Sequence, residues 1–83
     1  MKLTDKLLLA IKNGDMHSEI VDGRIQILVD LKTVLTLDAD PLPQVRKGLD
    51  NSVAVGDIRV ECESELDAET IAGSLSALIE VAK

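Results

Sequence analysis

Apolar residues recur along this chain with two periods, and the periods mark its elements. In residues 4–13 Leu7, Leu8 and Ile11 share one face at helical spacing. Thr4 is a suitable N-cap, because a hydroxyl accepts one of the orphan N–H groups of a first turn. Leu3 and Leu8 then hold the positions of a hydrophobic staple. Asn13-Gly14 supplies a stop, since glycine adopts the left-handed conformation without steric cost. A strand through Leu7–Ile11 is the alternative for so short an apolar run.

The period changes to two over residues 16–31. Asp22-Gly23 is the two-residue signal of a type I′ turn. A turn there sets Ile20 opposite Ile25, Ser18 opposite Ile27 and Met16 opposite Val29. Ile25, Ile27, Val29 and Leu31 then point inward, and Arg24, Gln26, Leu28 and Asp30 outward. A turn near Asp30–Lys32 leads to a third strand over 33–38, with Leu35 and Leu37 on one face. Asp40-Pro41-Leu42-Pro43 ends it, because proline donates nothing to a ladder. Asp40 then caps a short helical turn that begins at Pro41 and ends at Gly48, with Leu42, Val45 and Leu49 along one side.

Residues 53–63 read as extended, with Ile58, Val60 and Cys62 pointing one way and Arg59, Glu61 and Glu63 the other. Gly56-Asp57 is either a tight turn or a bulge. Over residues 67–82 the helical period returns, with Asp67 as N-cap and Leu66 and Ile71 at the staple positions. Ile71, Leu75, Leu78, Ile79 and Ala82 form its apolar stripe, and Glu69, Gly73, Ser76, Glu80 and Lys83 fall opposite. The expected fold is a single α+β domain over residues 1–83. It has a small antiparallel sheet of 3–5 strands, with an N-terminal and a C-terminal helix on one face.

Composition narrows this picture. The 83 residues contain no Phe, Tyr or Trp, so the core must be Leu, Ile and Val. A single cysteine permits no internal disulfide. A core of this size is marginal alone, which makes a homodimer an expected remedy. The longest apolar run, Leu7–Ile11, is far shorter than the ~20 residues of a membrane span. No secretory pattern is seen, and the expected location is cytoplasmic.

The net charge is −6. Residues 1–47 balance seven acids with seven bases, whereas 48–83 hold eight acids and two bases, so the whole excess lies in the second part. Direct nucleic-acid binding needs clustered positive charge, and single-strand readers stack bases on aromatic rings; neither feature is present. An anionic membrane surface is excluded on the same charge argument.

Candidate chemistry is sparse. Cys62 and His17 are the only possible thiol–imidazole pair. Cys62 points to the core among acids, which disfavours a thiolate. His17 has no neighbouring ligand residue for a metal. Asp38-Ala39-Asp40 has carboxylates at a spacing that hard cations accept, but a strand end followed by a cap accounts for it. No phosphate loop, nucleophile elbow or zinc motif occurs. Catalytic residues, metal ligands and cofactors are therefore all expected to be none.

Two functional readings remain. The first is a non-catalytic protein–protein interaction module, a small subunit, adaptor or regulator, meeting its partner through outward-facing Val21, Leu28 and Val34. The alternative is an acidic inhibitor or nucleic-acid mimic that binds a basic groove on a partner protein through residues 57–69. There Glu61, Glu63 and Glu65 would alternate along one strand face, ~6.6–7 Å apart.

Overall fold

The structure, a computed structural model, describes residues 2–82. Its order is α1 (Leu3–Asn13), β1 (Met16–Val21), β2 (Arg24–Val29), β3 (Lys32–Asp38), β4 (Val45–Lys47), β5 (Ser52–Val55), β6 (Ile58–Glu61) and α2 (Glu65–Ala82). The α+β class is as expected. The strand count is not: six strands form two antiparallel three-stranded sheets, β1-β2-β3 and β4-β5-β6, instead of one sheet of 3–5.

The first hairpin follows the local chemistry. Asp22 and Gly23 both have positive φ, 53° and 75°, as a type I′ turn requires. The register is the expected one, with Ile20 opposite Ile25, Ser18 opposite Ile27 and Met16 opposite Val29. The second turn is Asp30-Leu31, again with two positive φ values, 52° and 64°. It takes Leu31 out of the strand, so this side chain is 81% exposed instead of inward. Between the two β2–β3 segments the register slips: Ile27 faces Leu35, Leu28 faces Thr33, and Val34 has no opposite residue. This bulge turns Val34 onto the core, which corrects its expected outward placement.

The helical turn expected over 41–48 does not form. Val45, Arg46 and Lys47 pair instead with Val55, Ala54 and Val53, and the ladder satisfies backbone groups that a single isolated turn would leave open. Gly48 is therefore not a helix stop. It lies in the β4–β5 loop, where its N–H donates to the Ser52 carbonyl at 2.7 Å. Leu42 and Leu49 are exposed and form no helix face with Val45. Gly56-Asp57 is the tight turn of the two alternatives, joining Val55 to its opposite residue Ile58, with Gly56 at φ 56°.

Both helix starts differ from expectation. In α1 the N-cap position is Lys2, with no side-chain cap; Thr4 lies inside the first turn, so the Leu3–Leu8 staple loses its frame. In α2 the cap is Ser64, whose Oγ accepts from the Asp67 N–H at 3.1 Å. Asp67 is thus an acid in the first turn, favoured by the helix dipole, and Leu66 is exposed instead of stapled to Ile71. Gly14 ends α1 at φ 72°, as expected. Lys83, expected on the polar side of the C-terminal helix, lies outside the described residues.

One apolar cluster joins the parts. Leu7 of α1, Ile25, Ile27, Leu35 and Leu37 of the first sheet, Val53, Val55 and Val60 of the second, and Ala68, Ile71, Leu75 and Ile79 of α2 are all buried in it. The α2 helix packs on β1 and β2 on one side and on β4 and β5 on the other.

Candidate functional site

The acidic stretch is built from three different elements. Glu61 ends β6, Glu63 lies in the bend before the Ser64 cap, and Glu65 opens α2. All three are exposed, but strand alternation stops at Glu61, so no single row of carboxylates forms. Cations from the second sheet take up several of these charges. Lys47 Nζ lies 3.0 Å from Glu65 Oε1 and 3.2 Å from Glu69 Oε1. These two carboxylates, by hydrogen bond first, raise the Lys47 pKa above its usual value. Arg59 pairs with Asp50 and lies 3.8 Å from Glu61. Asp50 is held below the ordinary carboxylate range, first by the Ser52 hydroxyl, then by its own backbone N–H and by Arg59.

The hairpin residues are not gathered either. Val21 is 40% exposed beside the first turn, opposite Arg24. Leu28 is half-buried near the other end of the same outer face, between His17 and Thr33. The polar pair Glu19–Gln26 stands between them. Val34 belongs to the inner side.

The remaining candidates are separate from one another. Cys62 is half-buried against the core, and burial, followed by the Asp67 charge, pushes its thiol up. His17 is exposed on β1, on the outer face. Asp38 pairs with Arg24 at 3.6 Å, both well exposed. Among the described residues, no three His, Cys, Asp or Glu side chains come together as a metal-holding group. No helix among them is long and apolar enough to cross a membrane.

Two features had no signal in the sequence. One is Leu31, an aliphatic side chain presented to solvent from a left-handed backbone position. The other is a shallow cavity of about 330 Å³ where Asp38 of β3, Pro41–Pro43 and the β5–β6 turn meet. It draws on three separate segments, so no local pattern reports it. No family model, no curated protein and no solved structure matches this chain.

Proposed function

We propose that this chain is a non-catalytic protein-interaction module: a small cytoplasmic subunit, adaptor or regulator whose partner is a protein rather than nucleic acid or membrane. Leu31 carries this reading. A leucine at positive φ costs about 1–2 kcal/mol relative to the right-handed region. Its side chain is 81% exposed, so contacts within the fold offset little of that cost. Aspartate and glycine fill the equivalent turn, Asp22-Gly23, with no such penalty. A contact with another molecule accounts for a residue that neither local conformation nor packing favours.

The test is Leu31→Gly. The variant should be at least as stable as the wild type and recover less partner when both are expressed equally in source cells and cross-linked. Equal recovery from both would defeat the reading. The acidic-inhibitor alternative has weaker support, because Glu61, Glu65 and Glu69 already face cations of the chain's own.

A further inference from the structure

Two sheets of three strands have four edges, and helices attend three of them. β1 runs beside α2, where the Ser18 hydroxyl donates to the Leu78 carbonyl at 3.0 Å. β4 also runs beside α2, joined by the Lys47 ion pairs. On β6 the Glu61 carbonyl accepts from the Thr4 hydroxyl of α1 at 2.6 Å. The fourth edge, β3, has an extensive contact with β2 alone.

The direction of its open groups follows from the register. The Ala39 N–H donates to the Gly23 carbonyl on the β2 side at 3.0 Å. Groups alternate along a strand, so Leu37 and Ala39 turn their backbone toward β2. Thr36 and Asp38 turn theirs away from it. The bulge at Val34 and the charge of Lys32 blunt the first half of this edge, as unpaired edges usually are. The second half has no bulge, its one charge, Asp38, is engaged by Arg24, and the 330 Å³ cavity adjoins it, at Thr36, Leu37 and Asp38. Pro41, Leu42, Pro43 and Ile58 supply apolar walls, and Asp38 and Asp57 supply carboxylates.

We propose that residues 35–38 of β3 accept an extended peptide segment of a partner protein as an added strand, with a basic side chain of that segment in the adjoining cavity. An open edge with a neighbouring side-chain pocket is the arrangement that strand addition uses. A carboxylate in the cavity wall selects a cationic side chain, and arginine fits best because its planar fork can donate two parallel hydrogen bonds to one carboxylate. Among the described residues Arg24, 3.6 Å from Asp38, is the one base paired with these acids, and it leaves Asp57 for the ligand. The proposal rests on the interaction-module reading and names its partner surface.

The probe is a seven-residue peptide of alternating threonine and valine around a central arginine; the control carries glutamate there. Titration should shift the amides of Thr36 and Asp38, and the arginine peptide should bind about tenfold or more tighter than the control, the scale of one charged hydrogen bond. Asp57→Lys, a change at an exposed turn, should weaken binding by a similar factor. Thr36→Pro should abolish it, because that N–H faces the free side. No binding at about 1 mM, shifts centred on residues 61–69, or binding that survives Asp57→Lys would overturn the proposal. So would a dimer of the free protein that Thr36→Pro dissolves, since the edge would then belong to a second copy. None of these outcomes decides the broader reading, which stands or falls on Leu31→Gly.

Discussion

The first sheet has strands of six, six and seven residues; the second has strands of three, four and four. In the first, two-residue turns with positive φ close both hairpins, and one exposed ion pair, Arg24–Asp38, crosses its surface. Its order comes from a long ladder over buried Ile25, Ile27, Leu35 and Leu37. In the second, the ladder is too short to do this alone. A four-residue loop from Gly48 to Asn51 is tied by Ser52–Asp50 and Asp50–Arg59, and Lys47 ties β4 to α2. Ladder length and side-chain ties are thus two routes to a strand, and the second sheet uses Lys47 and Arg59 for the second route.

The sharpest way to break this contrast is to ask whether the sheets are independent. Leu75 is fully buried on α2, which packs on strands of both. Leu75→Ala should cost about 2–5 kcal/mol, a large part of the stability of so small a domain. Amide signals of β2 and β5 should lose protection at one common urea midpoint. A second sheet that melted while the first persisted would show that the ties hold it apart from the shared core.

The next test places one methyl group in each sheet. A Cβ at Gly48 would lie 2.5 Å from Ser52 Oγ and 3.0 Å from Asp50 Oδ1. Ser52 is 5% exposed and cannot swing out freely. Gly48→Ala should therefore cost about 1–3 kcal/mol through forced displacement. At Gly23 nothing lies within 4 Å, and the cost is one of backbone conformation at φ 75°, about 1 kcal/mol. Thermal melts followed by circular dichroism would give both values; a Gly23 loss larger than the Gly48 loss would reverse the assignment.

These two glycines also show what the sequence reveals. Asp22-Gly23 is a complete local instruction, so the hairpin and its register follow from adjacent residues. Val45-Arg46-Lys47 carries no instruction of its own, because its extended state depends on Val53–Val55 beyond the loop. Ser64 and Asp67 are both good caps in isolation, and the two differ only in where the preceding strand releases the chain. The acidic row follows an alternation that the chain abandons at Glu61. Val34 reads as outward unless the bulge is known, and the bulge depends on where the Asp30-Leu31 turn begins. The core pattern was legible because burial follows period; the surfaces were not, because they join segments distant in sequence.

Acid should distinguish the sheets as well. The Asp50 carboxyl titrates below its reference value of 3.8 when folded, so its stabilising contribution is fully present above that value. It is lost as pH falls through the lower, folded-state value. Between these limits, exchange protection of β4–β6 should fall with pH, and Asp50→Asn should remove that dependence without altering β1–β3. A Lys47→Met variant gives the opposite limb. The folded-state pKa of Lys47 is raised above 10.5, so its contribution is present below that value and lost as pH rises past the raised one. Protection in both sheets that fell together over either range would mean that the ties do not belong to the second sheet alone.

The smallest expected effect lies within the first sheet, between its two turns. Both need positive φ at two successive positions; one uses Asp22-Gly23 and the other Asp30-Leu31. Leu31→Gly makes the second turn chemically like the first. It removes a left-handed leucine, a gain of about 1–2 kcal/mol, and adds unfolded-state entropy, a loss of about 0.4–1 kcal/mol. The net expectation is a gain of about 0.5–1 kcal/mol, read as a higher urea midpoint at unchanged slope. A loss of stability would mean that Leu31 packs usefully within the fold, and its exposure would then need no partner. A gain leaves leucine at that turn as a cost to the isolated chain, offset only when its side chain meets another surface.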